Sequence, residues 1–181
     1  ALVRARNLLY DQGWLSSQHP ALKVISVGNL TVGGTGKTPM VLWLAQALQS
    51  RGHRVGILTR GYGGKSKEIT VVSTAGQALA TPDEVGDEPV MLARAFAGVA
   101  ISGRDRVAAA GLARGRFALD VVILDDGFQH RQLDRDIDLL LVNSKRGTDN
   151  GWLLPAGPLR EPLAAARRAD VVIITKGGTY G

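Results

Sequence analysis

The stretch "GNLTVGGTGKTP", residues 28–39, carries residue types that can hold the phosphates of a nucleotide. It lies between the apolar runs "KVISV" and "MVLWLAQAL", so a bound phosphate would meet loop amides and the positive end of a helix. Glycines let backbone N–H groups point inward, a lysine reaches phosphate oxygens, and a Ser or Thr hydroxyl reaches Mg²⁺. The candidates for these roles are Gly33, Gly34, Thr35, Gly36, Lys37 and Thr38. The common pattern has glycine where this chain has Thr31, and a purely structural turn is the alternative.

Acidic residues in "VVILDDGFQH", residues 121–130, are candidates for the metal side of such a site. Asp125 and Asp126 follow four apolar residues, so they should emerge at the carboxyl edge of a strand, where the phosphate must lie. Two adjacent carboxylates repel each other unless a cation compensates, which favours Mg²⁺. A carboxylate that caps the next turn is the alternative.

Two further segments carry charge beside glycine. "GDEP", residues 86–89, places Asp87 and Glu88 at a predicted helix start, where acids also serve simply to complement the helix dipole. "TRGYGG", residues 59–64, follows a predicted strand and combines Arg60 with three glycines. Arg60 is a candidate catalytic clamp on a transferring phosphoryl group, and a mobile turn is the alternative reading of the glycines.

The elements that must position these residues form an alternating pattern. Seven short runs rich in Val, Ile and Leu predict strands at residues 23–28, 53–60, 69–73, 98–102, 120–126, 136–143 and 170–176. Apolar residues at helical spacing predict helices within 37–52, 87–98 and 103–115. Strands that are apolar on both faces and separated by helices indicate an α/β fold with a doubly wound, mostly parallel sheet.

The composition of the chain limits the classes of partner that it is expected to bind. The chain has 181 residues, no cysteine and no apolar run long enough to span a membrane. Its net charge is +6, and 16 of the 22 basic residues are arginine, which favours an anionic partner, although a basic solvated surface remains the alternative. Aromatic residues make up only 5%, so base-stacking surfaces, and with them a nucleic-acid partner, are not expected.

Five motifs together resemble one family. In order, "GNLTVGGTGKTP", "TRGYGG", "VGDEP", "DDGFQHRQLDRDIDLLLVN" and "LLPAGPLREP" resemble the tetraacyldisaccharide 4′-kinases of lipid A biosynthesis in Gram-negative bacteria. The resemblance implies a fold of the P-loop NTPase type. It also implies transfer of the ATP γ-phosphate to the 4′-hydroxyl of a tetraacyldisaccharide 1-phosphate, at the cytoplasmic face of the inner membrane. The family's own loop reads "TVGGTGKT", so Thr31 conforms to that narrower pattern.

The resemblance also implies roles for single residues. Lys37 would contact phosphate and Thr38 would bind Mg²⁺. Asp87 would be the base that serves the sugar hydroxyl, with Glu88 in support.

On the metal side, the resemblance implies that Asp125 and Asp126 bind Mg²⁺ beside Thr38. Glu161, in "REP", would be a further metal-side carboxylate, and His130 closes the "DDGFQH" motif without a defined role.

The N-terminal segment, residues 1–20, predicts an amphipathic, interfacial helix that contacts the membrane peripherally. Packing of this apolar face on the protein's own core is the alternative. The residues concerned are Leu2, Val3, Leu8, Leu9, Trp14 and Leu15, with Arg4 and Arg6 among them. Residues 21–181 then form the P-loop kinase core, and the resemblance implies that the family's C-terminal lobe is absent from this chain.

A nucleotide-gated assembly ATPase or switch is the alternative function. A GTP switch needs an N-K-x-D motif after a late strand, and the nearest segment, "TKGG" at residues 175–178, lacks the Asp that pairs with guanine. An assembly ATPase would hydrolyse ATP without a lipid acceptor, so dependence on an acceptor separates the two functions.

Overall fold

The computed structural model describes residues 2–177; Ala1 and residues 178–181, including the end of "TKGG", lie outside the described part. Eight strands form one sheet. They are β1 (Lys23–Gly28), β2 (Val55–Thr59), β3 (Thr70–Thr74), β4 (Gln77–Ala78), β5 (Val99–Ser102), β6 (Val121–Asp125), β7 (Ile137–Asn143) and β8 (Val171–Thr175). The helices are α1 (Leu2–Asp11), α2 (Lys37–Gln49), α3 (Pro82–Val85), α4 (Asp87–Ala95) and α5 (Arg106–Phe117), with a 3₁₀ helix at Leu163–Arg168. Within residues 2–177, no helix has the length and apolar character that crossing a bilayer requires.

The strand order across the sheet is β4-β3-β5-β2-β6-β1-β7-β8. The six strands from β5 to β8 in this order are mutually parallel, whereas β3 pairs antiparallel with β5 and β4 antiparallel with β3. Because these six strands are parallel, with β1 between β6 and β7 and β2 between β5 and β6, the loops that follow them lie at the same edge of the sheet. That edge is where ligands bind in open parallel sheets.

Helices cover both faces of the sheet. On one face, α2 and α4 pack against the sheet, with Val41 and Ala45 of α2 and Leu92 of α4 buried against Val27 and Ile123. On the other face, α5 packs through three buried alanines, Ala109, Ala110 and Ala113. Small residues let α5 approach the sheet closely, and Asp105 caps its start by accepting from the N–H groups of residues 107 and 108 at 3.0 Å each.

The predicted α/β class and doubly wound, mostly parallel sheet are confirmed. All seven predicted strands are present, and the three predicted helical stretches contain α2, α4 and α5. Strand β4 was not predicted, since its two exposed residues, Gln77 and Ala78, carry no apolar alternation.

The N-terminal helix α1 packs through polar groups. Asn7 is its buried residue, and the Asn7 Nδ2 donates to Glu161 Oε2 at 3.1 Å. Arg131 forms an ion pair with Asp11 at 2.7 Å and lies 4.8 Å from the centre of the Tyr10 ring. The helix is therefore fixed to the core by directional contacts on its polar side.

Candidate functional site

A cleft of about 740 Å³ opens at the carboxyl edge of the sheet, above β1, β2, β5 and β6. Its walls come from the loops after these four strands, from Leu154 and Arg160 between β7 and β8, from Glu88 at the start of α4 and from Arg6 of α1. The structure thereby brings Lys37, Arg60, Asp125 and Asp126 into one cavity, as the strand-edge argument predicts.

The glycine-rich loop after β1 has the conformation that its glycines permit. Gly33 and Gly36 have φ of 106° and 85°, in the left-handed region that side chains disfavour. Gly36 is the residue before α2, and α2 begins at Lys37, which confirms the predicted entry into the helix. Thr35 is buried, and its carbonyl accepts a hydrogen bond of 2.7 Å from the Thr175 hydroxyl at the end of β8.

The segment at residues 158–160 braces the entry to this loop. The N–H of Val32 donates to the carbonyl of Pro158 at 2.8 Å, and the N–H of Arg160 donates to the carbonyl of Leu30 at 2.7 Å. The backbone of the "PAGPLREP" motif is therefore paired with the residues that lead into the phosphate loop.

Lys37 lies in a network that balances its charge. Its Nζ donates to Asn29 Oδ1 at 3.2 Å and lies 3.4 Å from Asp126 Oδ1. The other oxygen of Asp126 accepts from Arg160 at 2.6 Å. Burial alone would raise the pKa of Asp126, but the neighbouring cations Lys37 and Arg160 hold that pKa below its usual value.

Asp125 has the opposite electrostatic environment. It is only 2% exposed, and burial, together with the nearby Glu88 and Asp126, raises the pKa of its carboxyl to about 7. Its Oδ1 is buried and has no hydrogen-bond partner among the described residues. A buried carboxylate oxygen without a hydrogen-bond partner is suited to bind a cation.

The hydroxyl of Thr38 is the predicted Mg²⁺ ligand at the start of α2. Thr38 Oγ1 lies 3.2 Å from Glu88 Oε1, to which it donates. Across residues 2–177 no cluster of three or more His, Cys, Asp or Glu side chains can enclose a metal by itself. Mg²⁺ usually takes only one or two protein ligands and completes its shell with water and phosphate oxygens, so residues such as Thr38, Asp125 and Asp126 could hold it without such a cluster.

Asp87 does not line this cleft. It borders a separate hollow of about 300 Å³ along α4, together with Pro82, Val90 and Met91. Consecutive helical residues point about 100° apart at 3.6 residues per turn, so Glu88 lines the cleft while Asp87 lines the hollow along α4. The role of Asp87 as a base stays a prediction.

Glu161 lies among basic and amide side chains outside the cleft. It is fully buried, and its two oxygens contact Arg168 at 2.6 Å, Asn7 at 3.1 Å and Arg6 at 3.4 Å. It does not line the cleft, and its oxygens are engaged by the cations and the amide that fix α1. In this structure Glu161 anchors the N-terminal helix, and its role as a metal-side carboxylate stays a prediction.

The loop at residues 60–64 packs backbone to backbone against the junction of α3 and α4. A side chain at Gly86 would overlap the carbonyl of Tyr62, and one at Gly64 would overlap the backbone of Val85. The N–H of Ser66 also donates to the carbonyl of Glu84 at 2.9 Å. The glycines of "TRGYGG" thus serve close approach, and they hold Arg60 beside the start of α4.

Sequence reasoning missed four polar residues that line the cleft, Arg104, Arg106, Gln129 and Arg160. Asn29 and Gln129 support the loop, since Gln129 Nε2 donates to the carbonyl of Asn29 at 2.9 Å. Arg160 was passed over in favour of its neighbour Glu161, and Arg106 was not recognised because an arginine in the first turn of a helix is normally exposed. His130 lines the cleft, and burial and nearby arginines lower its pKa to about 4.

Comparisons with known proteins agree with this geometry. A family model described as tetraacyldisaccharide-1-P 4′-kinase matches residues 1–180. Tetraacyldisaccharide 4′-kinase of Syntrophus aciditrophicus is 51% identical over 97% of this chain and 48% of its own length. The enzyme of Thiobacillus denitrificans is 43% identical over 98% of this chain and 54% of its own length.

A solved structure shows the same fold. The crystal structure of LpxK from Aquifex aeolicus in complex with ATP superposes with a TM-score of 0.91 at 44% identity, covering 97% of this chain and 55% of that one. The chain thus spans about half the length of the curated relatives that it matches. On the family match and these identities, it belongs to the tetraacyldisaccharide-1-phosphate 4′-kinase family.

Proposed function

We propose that the protein containing this chain transfers the γ-phosphate of ATP to the 4′-hydroxyl of a tetraacyldisaccharide 1-phosphate. The observation that carries the proposal is the meeting of the phosphate loop, Lys37 and the Asp125–Asp126 pair in one cleft, in a member of this kinase family. The relatives named as kinases argue against the alternative of an assembly ATPase or switch.

Different residues of the cleft contact the phosphates of the nucleotide and the metal ion. The loop amides of residues 33–36 and the start of α2 hold the phosphates, and Lys37 neutralises part of their charge. Thr38, Asp125 and Asp126 would hold Mg²⁺, which when bound neutralises charge on the transferring phosphoryl group. Arg60, which lines the same cleft, would contact the transferring group.

Asp87 is proposed as the base for the acceptor hydroxyl. Its support is the match of "VGDEP" to the family motif and its place next to Glu88, which contacts Thr38 on the nucleotide side. Under this assignment, the two neighbouring acids serve different substrates, Glu88 the nucleotide site and Asp87 the acceptor.

We further propose that α1 contacts the inner membrane from its cytoplasmic side, where the lipid acceptor would be collected. Its polar side is fixed to the core, whereas Leu2 and Leu8 of α1, and Trp14 in the turn after it, are 86%, 53% and 76% exposed. Exposed Arg4 adds positive charge suited to anionic lipid. Retention of the protein by vesicles of anionic phospholipid should fall in a Leu2→Ser/Leu8→Ser variant and not in the control Leu79→Ser, which removes an apolar side chain 55% exposed elsewhere.

The proposal concerns the full-length protein. Because the relatives are about twice as long as this chain, we propose residues 21–181 as the kinase core and expect a further lobe to complete the acceptor site. Phosphoryl transfer depends largely on positioning and on exclusion of water, so residues 1–181 alone should be far less active than the full-length protein.

The direct experiment incubates the full-length protein with γ-labelled ATP, Mg²⁺ and detergent-dispersed tetraacyldisaccharide 1-phosphate. We expect label on the lipid and negligible ATP hydrolysis without lipid. The Lys37→Ala variant should lose transfer while unfolding at the temperature of the wild type, since Lys37 is not a core residue. Hydrolysis at the same rate with and without lipid would favour the assembly ATPase, and near-normal transfer by Lys37→Ala would refute the phosphate-loop assignment.

A further inference from the structure

We propose that Asn29 is a positioning residue for phosphoryl transfer, which holds the ammonium group of Lys37 on the phosphate side of the cleft. The inference rests on the proposed function, because that function assigns Lys37 to the nucleotide phosphates. Asn29 directly follows β1, at the start of the glycine-rich loop, and it is fully buried. It does not line the cleft, so its effect on a nucleotide must pass through the residues that it contacts.

The side-chain amide of Asn29 joins the two ends of the phosphate loop. Its Nδ2 donates to the carbonyl of Thr31 at 2.7 Å, near the start of the loop, and its Oδ1 accepts from Lys37 Nζ at 3.2 Å, at the end of the loop. The reverse orientation of the amide would place its NH₂ group against an ammonium and its oxygen against a carbonyl. The two contacts therefore fix which atom faces Lys37, and an aliphatic side chain of similar size could make neither hydrogen bond.

The backbone of Asn29 is restrained as well. Its carbonyl accepts from Gln129 Nε2 at 2.9 Å. A side chain at Gly28 would overlap Phe128, so the end of β1 lies in close contact with the segment that follows β6. The fold itself therefore sets the position of Asn29 Oδ1. A group that is held in place before the reaction costs no reorganisation when it acts.

Lys37 has a second partner that attracts its ammonium more strongly. Asp126 Oδ1 lies 3.4 Å from Lys37 Nζ, and a contact between opposite charges is stronger than a hydrogen bond to a neutral amide. Without Asn29, the ammonium would move toward Asp126 and occupy the carboxylate that is proposed to hold Mg²⁺.

The donors of Lys37 leave room for a phosphate when Asn29 is present. An ammonium has three N–H donors, and within residues 2–177 the partners of Lys37 Nζ are Asn29 and Asp126. The third donor can then reach a phosphate oxygen at the loop. Asn29 thus contributes to nucleotide binding by determining where the charge of Lys37 lies, without contacting the nucleotide.

A double-mutant cycle on Asn29 and Lys37 separates positioning from a purely structural role. Calorimetry would measure binding of ATP with Mg²⁺ to the full-length protein, without lipid, for Asn29→Ala, Lys37→Met and the double variant. Lys37→Met removes the ammonium and keeps an apolar stem. The control is Ser73→Ala, because Ser73 is also fully buried and donates to a carbonyl, that of Gly98 at 3.2 Å, but lies in β3 outside the cleft.

We expect Asn29→Ala to weaken ATP binding about tenfold, the scale of one charge-assisted hydrogen bond, and Lys37→Met to weaken it more. The double variant should bind no more weakly than Lys37→Met, because no ammonium is left to position. Ser73→Ala should bind ATP as the wild type does. If Asn29→Ala does not fold, Asn29→Ser takes its place in the cycle, since its polar side chain is too short to reach Lys37.

The same loss from Asn29→Ala with and without the Lys37 ammonium would overturn the inference, as would unchanged ATP binding in Asn29→Ala or an equal loss in Ser73→Ala. Unchanged ATP binding in Lys37→Met would refute the phosphate-loop assignment, and the inference with it. Coupled losses of ATP binding in a protein that transfers no phosphate to lipid would refute the proposed kinase function and leave the positioning role of Asn29 standing.

Discussion

The two acidic pairs of the chain, Asp125–Asp126 and Asp87–Glu88, differ in where their side chains lie. Both members of the first pair line the cleft, whereas only Glu88 of the second does. The first pair ends strand β6, and Asp126 takes a left-handed φ of 55° that returns its side chain to the same side as Asp125. The second pair starts a helix, where neighbours diverge by about 100°. Two acids that are adjacent in sequence therefore share a site only when the backbone turns both side chains to the same side.

The largest effect is expected for the first pair. Asp126→Ala should lower the rate of phosphoryl transfer about 10³-fold, because it removes a carboxylate from the proposed Mg²⁺ site and the counter-charge of Lys37 and Arg160. The milder Asp126→Asn should mainly raise the Mg²⁺ concentration needed for half-maximal rate. An unchanged Mg²⁺ titration in Asp126→Asn would transfer the metal role to Asp125.

The roles of Asp87 and Glu88 in the second pair can be distinguished by comparing one variant of each. Asp87→Asn should lower kcat by about 10²-fold or more, the scale of lost general-base catalysis, and leave ATP binding unchanged. Glu88→Gln should mainly raise the KM for Mg-ATP, since Glu88 contacts Thr38 at 3.2 Å. If Asp87 serves only the helix dipole, its variant will instead lose about 1 kcal/mol of stability with little change in kcat. Thermal unfolding and steady-state kinetics on both variants distinguish these results.

Glu161 tests whether an acid outside the cleft contributes to catalysis. Glu161→Gln should destabilise the fold by about 2 to 3 kcal/mol, because Arg168 and Arg6 lose their buried counter-charge. The Mg²⁺ requirement of the folded protein should stay that of the wild type. A shifted Mg²⁺ titration without a change in unfolding would restore the metal-side role that its motif suggested.

The smallest effect concerns His130, close to the first pair. Burial and nearby arginines lower its pKa to about 4 from 6.5, so protonation opposes folding. Above pH 6.5 the imidazole is neutral in both states, and as the pH falls from 6.5 to 4 the unfolded state gains the proton first. The wild type should therefore lose about 2 kcal/mol more than His130→Gln over this interval. Denaturant unfolding at several pH values measures the difference, and parallel pH profiles would refute it.

The residues explain why the fold was easier to predict than the site. Runs such as "VVILDD" and "KVISVG" carry their own burial signal, and the glycines of "GGTGKT" require a turn before a helix, so β1, β6 and the entry to α2 could be predicted. Whether Asp87 or Glu88 faces the cleft depends on where α4 begins and how it is rotated. Arg106 is buried and contacts Asp125, 19 residues away, and Glu161 is buried and contacts Asn7, 154 residues away. No local sequence pattern indicates contacts between residues so far apart in the chain.

The glycine contacts between residues 60–64 and the α3–α4 junction bear on how the cleft can move. No side chain separates Tyr62 from Gly86 or Gly64 from Val85, so the two segments already touch through backbone atoms and cannot approach more closely. A displacement of α4 toward this loop when ligand enters must therefore carry Arg60 with it. The arginine on one wall and the acids at the start of α4 would advance or withdraw together as a single rigid body, which couples occupancy of one substrate position to the geometry of the other.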